Sequence, residues 1–114
     1  MWRDDAYLLD MLKAARRVIK YVSGLSSEDF EKNELTQDAV VRNLEIIGEA
    51  ASKISPETRN THTELAWNEI IGMRNLLIHE YFRVNLTRVW DTITNDIPRL
   101  VSFLEEIVPP KEEE

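Results

Sequence analysis

The residues best equipped for chemistry lie together in Arg74-Asn75-Leu76-Leu77-Ile78-His79-Glu80-Tyr81, which places a guanidinium, an amide, an imidazole and a phenol within about two helical turns. Arginine can hold a phosphate through paired N–H bonds and stabilise a phosphorane-like state. Histidine titrates near neutrality and can take or give a proton. On an ideal helix Asn75 and His79 share a face, and Arg74 and Tyr81 nearly share another. Arg74 and His79 stand about 140° apart around the axis, so one straight helix does not aim both at a single point. Two chains related by a two-fold axis would bring both arginines and both histidines to one cleft, which favours a homodimer if the run is catalytic. Two such histidines could serve as base and acid, with Asn75 orienting His79. RNA carries its own nucleophile, the ribose 2′-OH. Such a site could therefore cut RNA by internal transesterification without a metal, leaving a 2′,3′-cyclic phosphate and a 5′-hydroxyl. The same residue types also occur as satisfied structural groups, and Tyr81 alone reads as an amphipathic residue at a helix end.

The elements that must position this run are helical throughout; Val, Ile and Thr nowhere alternate long enough for a strand. A first helix is expected from Asp4 to about Val22, with Leu8, Met11 or Leu12, Ala15, Ile19 and Val22 as its apolar stripe and Gly24 as the stop. Ser26 or Ser27 opens a short turn of helix, with Glu28 and Asp29 at its positive end and Phe30 as an anchor. Thr36 is expected to cap a longer helix to about Ile54, its stripe Val40, Leu44, Ile47, Ala51 and Ile54. Gly48 inside it costs about 1 kcal/mol relative to alanine, tolerable where another helix crosses closely. Ser55-Pro56 ends that helix, and Asn60 to Thr63 reads as loop. Thr63 is expected to cap the helix carrying Trp67, Ile70, Met73 and Leu77 inward, which ends near His79 to Tyr81. Asn85 caps the last helix, through Val89, Ile93, Ile97, Leu100 and Leu104, with a kink or break at Pro98 and Pro109-Pro110 as terminator. The expected fold is all-α: an up-and-down bundle of four main helices plus a short extra helix, paired as a two-fold homodimer. Residues 1–108 form one domain and 109–114 an acidic tail.

Composition narrows the function classes. No apolar run approaches the roughly 18 residues that span a bilayer, and Met1 to Asp5 lacks the apolar segment of a secretory signal. A cytoplasmic location fits. Without cysteine there is no disulfide framework, thiolate metal site or thiol nucleophile. His62 and His79 are the only histidines, no carboxylate spacing resembles a metal site, and no metal or cofactor is expected. The net charge of −7 is a poor global match to a polyanion, so local distribution matters. Lys13, Arg16, Arg17 and Lys20 follow i, i+3, i+4, i+7 spacing and share one helical face; Arg74, Arg83 and Arg88 add a second basic region. The first cluster reads either as a solvated face or as a footprint for nucleic acid or an acidic partner.

Arg74-x4-His79-x-Tyr81 resembles the signature of the HEPN superfamily, and more narrowly of its HepT-type toxins. Arg42 to Ala50 looks like that family's second-helix block, Trp67 with Ile71-Gly72-Met73 leads into the run as the family does, and Val89-Trp90 with Asp96-Ile97-Pro98 and Leu100 resembles its last helix. The resemblance covers nearly the whole chain. It implies that Arg74 and His79 are a ribonuclease pair in a cleft at a homodimer interface, with Asn75 as the polar residue beside the arginine. Tyr81 matches the tyrosine that receives AMP from ATP through a cognate MNT-type nucleotidyltransferase antitoxin, silencing the toxin. An added phosphate at Tyr81, along the Arg74 stripe, would block the cleft. Glu49 or Glu45 is expected either to orient Arg74 or to form a surface ion pair contributing roughly 0–1 kcal/mol. The expected activity is metal-independent endoribonuclease acting on RNA such as tRNA or mRNA. The rival is a non-catalytic helical module that docks the nucleotidyltransferase.

Overall fold

A computed structural model describes residues 2–72 and 85–108, and every regular element among them is helical. In chain order these are α1 (Trp2–Val22), α2 (Ser27–Glu31), α3 (Glu34–Ser52), α4 (Pro56–Thr61), α5 (residues 67–72), α6 (Leu86–Asp91) and α7 (Ile97–Ile107). A π-helical turn, Thr92–Asp96, joins α6 to α7. The expected all-α architecture is present. Arg74, Asn75, His79 and Tyr81 lie outside the described residues. So do Met73, Leu77, Arg83, the end of the helix that carries the run, and the acidic tail.

The core forms where α1 lies against α3 and α7. Met11, Ala14, Ala15 and Val18 of α1 are fully buried with Val40, Leu44 and Ile47 of α3 and Leu104 of α7. The alanines let the backbones approach, and the larger side chains fill the space between them. Asp4 of α1 reaches Ser55 just beyond α3, whereas Arg17 reaches Asn43, so α1 and α3 run antiparallel. Ile19 does not join the stripe assigned to it: it is exposed, and Val18 points inward instead. On a wheel of about 100° per residue, positions 18 and 19 lie about equally far to either side of the mean direction of Leu8, Met11, Ala15 and Val22, so spacing does not choose between them and the packing of α1 does.

Helix ends explain most local departures from the sequence reading. Ser26 and Asp29 exchange side-chain and backbone bonds in a capping box, satisfying two donors that the first turn leaves free. Thr36 is not the cap of α3: Asn33 is, and its Oδ1 accepts from the Thr36 backbone N–H at 3.0 Å. Pro56 both ends α3 and starts α4, because its missing N–H costs nothing at the first helical position. Asn60 and Thr61 are therefore helical rather than loop, capped by Ser55. Nor does Thr63 cap α5, which begins at Trp67 after a turn through Leu65 and Ala66. Gly24 adopts φ 81°, a left-handed conformation that suits glycine and stops α1.

The break anticipated at Pro98 occurs one turn early. Pro98 has no N–H to give to residue 94, and its ring crowds that carbonyl. The preceding turn widens into the π-helix, in which the Ile97 N–H reaches back to the Thr92 carbonyl. Ile93, Ile97, Leu100 and Leu104 nevertheless stay buried on one side of the composite helix.

Candidate functional site

What the structure describes of the site is the frame that feeds the Arg74 run from both sides. On the entry side α5 leads directly into it, and α5 is pinned at its start. The indole N–H of Trp67 donates to the His62 carbonyl at 2.8 Å, and the His62 ring stands edge-on to Phe103 of α7 at 5.6 Å. On the exit side Asn85 caps α6, accepting from the Arg88 N–H at 3.1 Å, as the sequence predicts. Trp90 of α6 then packs on the buried ring of Phe30 at 5.3 Å.

The turn before α4 is held by a buried carboxylate that the sequence reading missed. Asp4 is 5% exposed and accepts from the Ser55 N–H at 3.1 Å, the Ser55 hydroxyl at 2.6 Å and the Thr58 hydroxyl at 2.6 Å. Burial alone would push its carboxyl up, but the Ser55 and Thr58 hydroxyls and the Ser55 N–H together hold it below the ordinary aspartate value of 3.8. Asp4 thereby ties the start of α1 to the start of α4. Arg59 closes the other side: its Nε donates to the Ile54 carbonyl and its Nη2 to the Ser52 carbonyl, both at 3.1 Å, satisfying acceptors at and just past the end of α3. Ser55-x-x-Thr58 carries a recognisable helix-start signal. Asp4 carries none, because its partners lie more than fifty positions away.

The candidate supporting carboxylate Glu49 is half-exposed and lies 3.8 Å from Lys53 of the same helix, whose ammonium also sits over the Tyr7 ring at 5.9 Å. Glu45 pairs with Arg42 at 3.7 Å. Neither pairing includes Arg74, which lies outside the described residues. Lys13, Arg16, Arg17 and Lys20 do share one exposed face of α1. Arg16 reaches Glu105 of α7 at 2.9 Å, and Arg17 donates to the Asn43 side-chain carbonyl at 3.3 Å. Asn43 is buried and itself anchored to the Ala39 carbonyl at 2.8 Å, a role its place in the sequence did not reveal.

A cavity of about 160 Å³ opens between α3, the start of α5 and the π-turn, floored by Ile47, Ile97 and Leu100 and edged by Glu64, Glu69, Asp96 and Arg99. The three carboxylates outweigh the one arginine, so the rim is net negative and disfavours a phosphate. Its apolar floor suits a side chain, not a nucleic-acid backbone.

The family described as ribonuclease HepT-like matches residues 11–107, an interval that contains α5, α6 and the Arg74 run between them. The chain belongs to the HepT-like ribonuclease family. Among its relatives, it is 45% identical over 102 residues to a candidate RNase of Caldanaerobacter subterraneus subsp. tengcongensis, covering 90% of this chain and 91% of that protein. It is 39% identical over 101 residues to a probable ribonuclease HepT of Thermococcus cleftensis, covering 89% and 92%. A Methanocaldococcus jannaschii protein that joins a gamma-glutamylcyclotransferase to a candidate RNase is 36% identical over 107 residues, with 94% of this chain covering 47% of that longer protein. No solved structure matches the chain. The HepT-like membership agrees with the resemblance carried by the sequence blocks. Among the described residues, no helix is long and apolar enough to cross a membrane.

Proposed function

We propose that this chain is a metal-independent endoribonuclease, the toxin of a toxin–antitoxin pair, acting as a homodimer and silenced by AMP transfer to Tyr81. The observation that carries the reading is Arg74-x4-His79-x-Tyr81 within a chain matched to the ribonuclease HepT-like family over residues 11–107. Its relatives are named as ribonucleases, which supports RNA as the substrate class.

In this reading His79 of one protomer takes the proton from a ribose 2′-OH. The O2′ attacks the adjacent phosphorus, the P–O5′ bond breaks, and His79 of the partner subunit returns a proton to the leaving O5′. Arg74 holds the non-bridging oxygens and stabilises the charge that builds on them. Asn75 orients the imidazole, and Glu49 supports Arg74. No metal is required, because the substrate supplies the nucleophile and the side chains supply both proton transfers. Silencing follows when the Tyr81 hydroxyl attacks the α-phosphorus of ATP on an MNT-type nucleotidyltransferase. Pyrophosphate leaves, and a bulky anion stands beside Arg74.

The test is RNA cleavage in EDTA by the purified chain, with intact mass showing Tyr81 unmodified, beside its His79→Ala variant. Cleavage by the wild type alone, leaving cyclic-phosphate ends, is the expected result. The net charge of −7 favours one competing reading, a non-catalytic module that docks the nucleotidyltransferase. A folded, unmodified dimer that leaves a varied RNA pool intact would establish that module in place of the nuclease.

A further inference from the structure

Residues 11–24 contain four cations and no carboxylate, in a chain whose net charge is −7. All four, Lys13, Arg16, Arg17 and Lys20, are exposed on one face of α1, with Arg16 at its edge toward α7 and Arg17 at its edge toward α3. The structure then separates them. Arg16 is compensated by Glu105. Lys13 and Lys20 form no ion pair among the described residues. Arg17 is held by a neutral acceptor, the side-chain carbonyl of Asn43, so it keeps its full charge and most of its five N–H donors. Because Asn43 is buried and anchored, the Arg17 guanidinium is held in place in advance. The remaining cations run along the helix for about 10 Å, from the rise of 1.5 Å per residue, enough to follow consecutive phosphates of one strand.

A second observation comes from a side chain with no charge. Tyr21 is 38% exposed, an uncommon exposure for a large ring among the described residues. It lies four residues after Arg17 and so sits beside it on the helix surface. A row of cations with an exposed aromatic ring at its end is the arrangement that single-stranded nucleic acid favours. The cations track the backbone and the ring stacks an unpaired base. An acidic protein surface would answer the cations but gives the ring nothing to stack on.

We propose that the outer face of α1, through Lys13, Arg17, Lys20 and Tyr21, binds the backbone and one base of single-stranded RNA. This inference rests on the ribonuclease reading for its substrate class, and it extends substrate contact beyond the Arg74 run. The test uses a labelled single-stranded oligoribonucleotide in EDTA, bound by the full chain carrying His79→Ala so that it is not cut. Lys13→Gln/Lys20→Gln should weaken binding roughly tenfold or more near 0.1 M salt and flatten the slope of log affinity against log salt by about 1.4. Tyr21→Ala should weaken binding roughly tenfold without changing that slope. Circular dichroism should show all variants folded, since the substituted side chains are exposed. Equal affinity and slope in parent and variants would overturn the inference, and that outcome is the one expected if the face serves an acidic protein. No binding by the parent would overturn it as well. Cleavage by the unmutated chain is scored separately: RNA bound through α1 but never cut would remove the ribonuclease reading and leave the RNA-binding face standing.

Discussion

Replacing Asp4 by alanine removes one carboxylate and three hydrogen bonds at the joint between α1 and α4. The side chain is buried, and its acceptors serve the Ser55 N–H and the Ser55 and Thr58 hydroxyls. A hydrogen bond to a charged group contributes about 1.5–3 kcal/mol net, and bonds that share one acceptor group do not add in full. Part of the loss is recovered, because the Ser55 hydroxyl already lies 3.2 Å from the Thr58 hydroxyl and the two can satisfy each other. The expected cost is therefore about 3 kcal/mol, well above what an exposed substitution gives. In a domain of this size that lowers Tm by on the order of 10 °C. The charge also sets a pH signature. The Asp4 carboxyl titrates below its ordinary value in the folded chain, so the folded state holds the ionised form more tightly than the unfolded state. Its contribution is complete above the unfolded value of 3.8 and is lost as pH falls through the lower folded value. Urea unfolding of wild type and Asp4→Ala at fixed protein concentration should show the full gap at pH 7 and a shrinking gap below pH 3.8. A cost under about 1 kcal/mol at pH 7, or a gap that does not narrow in acid, would refute the reasoning. Additive effects of Asp4→Ala and Thr58→Val in a double-mutant cycle would likewise show that the 2.6 Å contact carries no coupling.

Other outcomes follow from the same geometry. Tyr81→Phe should leave RNA cleavage within about threefold while abolishing incorporation of labelled AMP by the nucleotidyltransferase, because only the hydroxyl is lost. Arg59→Met should lower stability by about 1–2 kcal/mol in urea melts, since the Ile54 and Ser52 carbonyls lose their donors while the aliphatic stem is kept. Leu44→Ala, at a position 1% exposed where α1 and α3 meet, should cost about 2–5 kcal/mol without a pH-dependent component.

The amino-acid sequence determined the helices through periodicity. The stripes of Val40, Leu44, Ile47 and Ala51 and of Ile93, Ile97, Leu100 and Leu104 are buried as their spacing requires. Local chemistry was equally legible where both partners lie within a few residues, as in the Ser26–Asp29 capping box, the Asn85 cap and the break ahead of Pro98. The Arg74 run and its surrounding blocks also carried the family, because residue types at fixed spacing survive without any coordinates. Competition between neighbouring candidates was harder to judge. Asn33 and Thr36 can each accept a first-turn N–H, and Val18 and Ile19 can each face inward; the helix starts at Asn33, and packing of α1 buries Val18. Only the tertiary structure brought together groups far apart in the chain. Asp4 met Ser55 and Thr58, Arg16 met Glu105, and Arg17 met Asn43. Those pairings depend on the antiparallel lie of α1 on α3 and on the place of α7 beside them. No local preference encodes that geometry; it follows from burying all the apolar stripes at once. It also turned four similar cations into one compensated arginine, one fixed arginine and two lysines that form no ion pair among the described residues.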